Sequence, residues 1–267
     1  MVTLVEDSAR PGAYLVRIGG TDQSYVDLTD PLRLEFDYVQ RIADVIDEIA
    51  ADGERIRVVH VGGAALTLPR YVTATRPSSA QIVLEPDTEL TAWVREHLPL
   101  PRQSGIKIRP VDGRAGIAAL RDEFADLVIV DAFAGARVPA ELTTVEYLAD
   151  LRRVVGTAGA VVINVTDSGA LAYSRRVLAG LTRVFGHVVY GAEPATLKGR
   201  RFGNIILTGS DAALPEQSLI RRAAGSMFPY RLMTGNQIPR FVGSAVPFTD
   251  DDAEPSPDPV TGGAHFG

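Results

Sequence analysis

The chain has 267 residues, 46% of them hydrophobic, and a formal net charge of −6. That length and apolar content suit one large α/β domain with a small appendage, or two small domains, and exclude global disorder. The acidic balance gives no electrostatic case for nucleic acid, and the lack of cysteine excludes disulfides, a thiol nucleophile and cysteine-ligated zinc.

The first residues, MVTLVEDSARPGAYLV, lack a basic region followed by a long apolar core, so no signal peptide is expected. No run of about eighteen apolar residues marks a transmembrane helix, and a cytoplasmic protein free of membrane partners is the default. Residues 12–28 place apolar side chains at Tyr14, Val16 and Ile18. They turn at Gly19-Gly20 and resume with Tyr25, Val26 and Leu28, the pattern of a β-hairpin. A hairpin of that size must pack on something else. After Asp30-Pro31, residues 34–49 have apolar positions at a helical spacing.

Residues 57–87 carry the chain's most informative stretch. The run Val58-Val59-His60-Val61 stops at Gly62-Gly63, a helix-compatible segment covers 64–74, and Ile82-Val83-Leu84 leads into Glu85-Pro86-Asp87. Strand, glycine turn, helix, strand and acid is the order of a dinucleotide- or nucleoside-binding βαβ unit. Two adjacent glycines are not the three spaced glycines of a pyrophosphate site. This argues against NAD and is compatible with a nucleoside such as S-adenosylmethionine. A plain turn with Gly63 as the tight bend accounts for the window as well.

The alternation continues beyond it. Residues 88–97, 116–124, 144–155 and 171–185 read as helices, and 106–111, 127–130 and 160–165 as strands. Residues 188–190 and 204–208 are two further strands, joined by a connection too short for a helical crossover and therefore antiparallel. One more surface helix is expected over 216–225. These elements predict a Rossmann-like, doubly wound, mostly parallel seven-stranded sheet with an antiparallel last strand, plus a short N-terminal β-hairpin. The division is 1–30 for the hairpin appendage, 31–248 for the nucleoside-binding domain, and 249–267 for a disordered tail rich in acids, proline and glycine. His60, His97, His187 and His265 lie far apart, without metal-ligand spacing, and no metal site is expected.

Ligands of open α/β sheets bind beyond the carboxyl ends of the strands. Successive strand ends here carry Gly62-Gly63, Glu85, Asp112 and Asp131. One acid at such a place is usually a helix cap, but three in series suit a ribose diol, an exocyclic amine and a reacting amine in turn. At these residues the chain resembles the polyamine aminopropyltransferases, the spermidine synthases, whose fold is of the class I S-adenosylmethionine-dependent methyltransferase type. The resemblance runs over about 23–210 and rests on Glu85-x-Asp87, Asp112-Gly113, VIVDAFAGARVPAELTTVEYL at 128–148, GRRFGNIIL at 199–207 and Glu35-Phe36-x-Tyr38. It implies that Glu85 binds the ribose, Asp112 with Gly113 the adenine edge, and Asp131, the catalytic residue, the attacking amine. Gln23 matches a glutamine that contacts the nucleoside, and Gly62 and Gly63 form the ligand turn.

It also implies a transferase of polyamine biosynthesis with no tightly bound cofactor. The co-substrate would be S-adenosylmethionine or its decarboxylated form, or methylthioadenosine as ligand, with an amine acceptor as partner; a homodimer is left open. The family's glycine loop carries an Asp, whereas this chain has Ala64-Ala65. A second family Asp meets Ala134, and a tyrosine in a Pro-x-Tyr segment meets Thr196 in Pro194-Ala195-Thr196. After Tyr38 come Val39-Gln40 rather than Gln-Glu. The nucleoside half is kept and the diamine half largely lost, so the acceptor is not expected to be ordinary putrescine. Two other readings stay open: a methyltransferase using the same pocket, and a non-catalytic nucleoside-binding relic.

Overall fold

The computed structural model describes residues 1–228 and 230–259. It begins with β1 (Val2–Glu6), β2 (Ala13–Ile18) and β3 (Thr21–Asp27), followed by α1 (Asp37–Ile49). The central alternation is β4 (Arg57–Val61), α2 (Thr67–Thr75), β5 (Ala80–Leu84), α3 (Thr88–His97), β6 (Ile106–Arg109), α4 (Gly113–Ala118) and β7 (Leu127–Val130). Then come α5 (Val145–Val155), β8 (Ala160–Asp167), α6 (Ala172–Val184), β9 (His187–Ala192), α7 (Pro194–Leu197), β10 (Gly203–Ser210), α8 (Glu216–Gly225), β11 (Arg231–Met233) and α9 (Gln237–Val242).

The main sheet has the order β11-β9-β10-β8-β7-β4-β5-β6. Strands β4 to β8 pair in parallel, and β10 runs antiparallel to both β8 and β9. The expected doubly wound architecture is present, with eight strands rather than seven. The added strand, β11, is three residues long and pairs antiparallel with β9; so short a stretch shows no alternation to read.

Strand β7 shows how the layers form. Its Leu127 and Ile129 join the apolar cluster under α1, α2 and α8, whereas Val128 and Val130 join the one under α4, α5 and α6. Strand β8 divides likewise, Ala160 and Val162 to one face and Val161, Ile163 and Val165 to the other. Because both faces are covered, the central strands read as continuous apolar runs, and each such side chain contributes about 1.5–3 kcal/mol on burial. The same period of two places Asp131 and Asn164 on the α1 face, one step beyond Ile129 and Val162.

The N-terminal element differs from the expected hairpin. Residues 2–6 pair with β2, making a three-stranded antiparallel sheet, and Val16 and Val26 pack with Ala65, Leu66, Val83 and Leu90. Segment boundaries also move. Helix α2 starts at Thr67, not at residue 64, because Ala64 and Leu66 adopt left-handed backbone (φ 38° and 65°). Helix α4 starts at Gly113, earlier than the apolar pattern indicates, with Asp112 as its cap.

The tail expected over 249–267 is corrected in its first part. Residues 249–258 lie against the domain, with Ser256 fully buried and Asp250, Asp252 and Asp258 paired to Arg114, Arg176 and Arg137. Composition counts the apolar groups a segment brings, not the arginines already waiting on the surface it meets. Residues 260–267 of that expectation lie outside the described residues. Among the described residues no helix is long and apolar enough to cross a membrane.

One glycine fixes the geometry at the strand ends. Gly62 has φ +93°, and a Cβ there would sit 2.3 Å from the Asp131 carbonyl oxygen. Gly62→Ala should therefore lower the melting temperature by the equivalent of about 1–3 kcal/mol. Gly53→Ala, also at positive φ but facing open space, should cost less. Equal losses in a thermal unfolding comparison would show that the close approach contributes nothing.

Candidate functional site

A cleft of about 700 Å³ opens at the carboxyl ends of β4, β5 and β7, between the main sheet and β2–β3. The structure brings all the sequence-selected residues to it. Gly62 and Gly63 follow β4, Glu85 follows β5, Asp112 and Gly113 follow β6, Asp131 follows β7, and Gln23 comes from β3. Phe36 and Tyr38, at the start of α1, complete the wall near Asp131.

Each acid is held differently. The Gly63 N–H donates to Glu85 Oε2 at 2.9 Å, and the Asp87 N–H donates to Oε1 at 3.0 Å. The glycine turn thus aims the carboxylate, leaving one lone pair per oxygen for a ligand. A Cβ at Gly63 would crowd the Val83 Cγ1 at 3.0 Å and the Glu85 Cβ at 3.3 Å, so these side chains would have to give way slightly. Asp112 is the N-cap of α4, accepting from the Ala115 N–H at 2.8 Å through Oδ1; its Oδ2 remains for the cleft. Asp87 caps α3 through the Leu90 N–H.

Asp131 sits in a different environment. Its carboxyl is pushed up to about 6 because burial disfavours the charged form, an effect partly offset by the Asn164 side-chain hydrogen bond. Asn164 Nδ2 donates to Asp131 Oδ1 at 2.9 Å. Burial, then the charges of Asp131 and Asp37, push the Tyr38 hydroxyl well above its ordinary range. Asn164 was not among the sequence-selected residues. Its signal was legible: one amide inside the apolar strand AVVINVTD must find a polar partner when buried.

Among the described residues, those lining the cleft include the carboxylates of Glu35, Glu85, Asp87, Asp112, Asp131 and Glu141, and no lysine or arginine. The one lining histidine among the described residues, His60, is buried, shares a 2.9 Å hydrogen bond with Gln81 and is lowered to about 4, so it is neutral at pH 7. Ala64 and Ala134, where family acids were looked for, also line the cleft. Asp167 and Glu193 do not stand in for them. Asp167 accepts the Ser168 and Ser174 N–H groups, and Glu193 pairs with Arg201.

The sheet order, its antiparallel β10 and a cleft at the carboxyl ends define a fold of the class I S-adenosylmethionine-dependent methyltransferase type. Human methyltransferase-like protein 13, solved in complex with SAH, shares it at a TM-score of 0.54, with 17% identity over 79% of this chain and 93% of that one. A probable spermidine synthase from Corynebacterium glutamicum aligns at a TM-score of 0.86, with 33% identity over 93% of this chain and 92% of that one. The chain belongs to the spermidine synthase family. The polyamine aminopropyltransferase of Vibrio vulnificus is 23% identical over 176 residues, 65% of this chain and only 56% of that protein's length. No family model matches the chain.

The raised Asp131 pKa has a stability consequence with a definite sign. A carboxyl whose pKa rises from 3.8 to about 6 on folding supports stability fully below about pH 4, and that support is lost as pH rises through 6. Asp131→Asn keeps an acceptor for Asn164 and removes the charge. It should raise the melting temperature at pH 8 relative to the parent, with the difference closing near pH 4. A difference that does not depend on pH would contradict the assigned burial of the charge.

Proposed function

We propose that this protein binds an adenosyl sulfonium co-substrate, decarboxylated S-adenosylmethionine, and transfers its aminopropyl group to an amine other than putrescine. The observation that carries this reading is the cleft's electrostatics. Six carboxylates line the cleft and, among the described residues, no lysine or arginine does; Arg33 pairs with Glu35 at 2.7 Å, and the remaining five suit a cationic donor and a cationic acceptor and would repel phosphate. An adenosyl ligand is also what the human neighbour on the same fold holds.

The chemistry follows from the placement of the groups. Glu85, aimed by two backbone N–H groups, accepts the ribose hydroxyls. The free Oδ2 of Asp112 beside Gly113 meets the adenine edge, and Gln23 approaches the nucleoside from the β2–β3 side. Asp131 receives the amine. The amine nitrogen attacks the carbon next to the sulfonium, the C–S bond breaks with its electron pair going to sulfur, and the product is a neutral thioether. The nitrogen sheds a proton, for which Asp131, with a pKa about 6, is the nearest placed acceptor. Asn164 keeps that carboxylate turned toward the cleft.

The acceptor half argues for the altered amine. Ala64 and Ala134 supply no carboxylate, and Phe36, Tyr38 and Phe133 give the wall around Asp131 an apolar character. An ammonium taken from water must regain its solvation from protein groups. Losing two charge-assisted hydrogen bonds of about 1.5–3 kcal/mol each is enough to disfavour a dication. An acceptor with one cationic nitrogen and an apolar body fits.

Two measurements check this reading. Glu85→Ala should weaken methylthioadenosine binding by about 1.5–3 kcal/mol in calorimetry; unchanged affinity would make Glu85 a scaffold residue only. With decarboxylated S-adenosylmethionine, turnover should be higher on monoamines than on putrescine and be abolished by Asp131→Asn. Methyl transfer from S-adenosylmethionine, without aminopropyl transfer, would replace this reading.

A further inference from the structure

The wall of the cleft that follows Asp131 has little to hold it by itself. Between residues 132 and 139 its backbone bonds to itself only across the turn of Ala134 and Arg137, at 2.9 and 3.4 Å, among the described residues. Yet Phe133, Ala134, Gly135, Ala136 and Pro139 all line the cleft. The support comes from a segment more than a hundred residues further along the chain.

That segment is anchored at three points. At the first, Phe248 is fully buried, its carbonyl accepts the Val145 N–H at 2.8 Å, and the Arg176 guanidinium lies 3.8 Å from its ring centre. At the second, both Asp250 oxygens accept from Arg114, at 2.9 and 2.6 Å, and Arg114 also donates to the Glu141 carbonyl. At the third, Ser256 exchanges hydrogen bonds with Val138. Its Oγ accepts the Val138 N–H at 2.9 Å, and its own N–H donates to the Val138 carbonyl at 3.2 Å. Thr166 Oγ1 meets the same Ser256 hydroxyl at 3.1 Å, and Arg137 donates to the carbonyls of Pro255 and Ser256.

The three anchors are not equal. The ion pairs of Arg114, Arg176 and Arg137 are partly exposed, and such pairs are weak and screened by salt. The Ser256 clasp is buried, so loss of its hydroxyl strands the Val138 N–H away from water. It is therefore the decisive anchor.

We propose that residues 248–258 form a strap that sets the position of the wall after Asp131, with Arg137 and Ser256 as positioning residues for the acceptor side of the cleft. The placement of the wall stands on the contacts alone; its assignment to the acceptor rests on the aminopropyl-transfer reading.

The test separates the two. Hydrogen exchange is compared between a chain ending at Phe248 and a control ending at Pro259, which keeps the strap. Loss of the strap should speed exchange over 132–142 by about tenfold or more while β4, β7 and β8 keep their protection. Equal exchange in the two chains would overturn the strap. The single variant Ser256→Ala then addresses the acceptor. It should raise KM for the amine several-fold, leaving methylthioadenosine affinity as in the parent, because the hydrogen-bond partners of Ser256 among the described residues are Arg137, Val138 and Thr166. A parallel loss of both would mean general loosening and overturn the positioning role. If the parent turns over no amine, the functional reading fails, and the exchange comparison still decides the strap.

Discussion

The structure depends on how closely the ends of two parallel strands approach. The Asp131 N–H donates to the Val61 carbonyl at 2.9 Å, and the next residue on the neighbouring strand, Gly62, presents only hydrogen to the Asp131 carbonyl. Any side chain at position 62 would push the end of β4 away from the end of β7. That approach brings Asp131, at the end of one strand, and Glu85, held by the Gly63 N–H, to a single rim. The glycines serve the packing of the rim first and a ligand second. This explains why two adjacent glycines suffice where a phosphate loop needs three spaced ones.

Around that rim, charge is stored at the cost of solvation. Glu85, Asp87 and Asp112 accept backbone N–H groups at turns and helix starts. Asp131 has only one amide to help it, and burial pushes it up to about 6. One cleft therefore holds carboxylates oriented by backbone N–H groups and one, Asp131, that burial pushes up to about 6. Among the described residues the lining carries no arginine or lysine.

The wall that follows Asp131 is built from distant pieces. The loop after Asp131 is short of internal bonds, and its support passes through Val138 to Ser256, while Arg114, next to Gly113, holds Asp250. Both sides of the cleft are thus tied to one segment whose composition alone suggests solvent.

The sequence by itself determined the layer architecture, because strands buried on both faces must be apolar runs and helices between them must carry a 3.6-residue period. It also determined the rim, because acids and glycines at successive strand ends can only face one way out of a parallel sheet: Gly62, Gly63, Glu85, Asp112 and Asp131 were all legible there. Tertiary structure decided what local pattern does not encode. Strand β1 and the three residues of β11 exist only through their partners. The left-handed Ala64 and Leu66 delay α2 against its own helix-compatible sequence. Asn164 became a site residue only when β8 was laid beside β7 and its amide met Asp131. Residues 249–258 are polar and proline-rich, and within them only the Thr249–Asp252 turn closes hydrogen bonds of its own, among the described residues. Their placement comes from hydrogen-bonding groups on Arg114, Arg137, Val138 and Arg176, which the fold assembles from elements far apart in the chain.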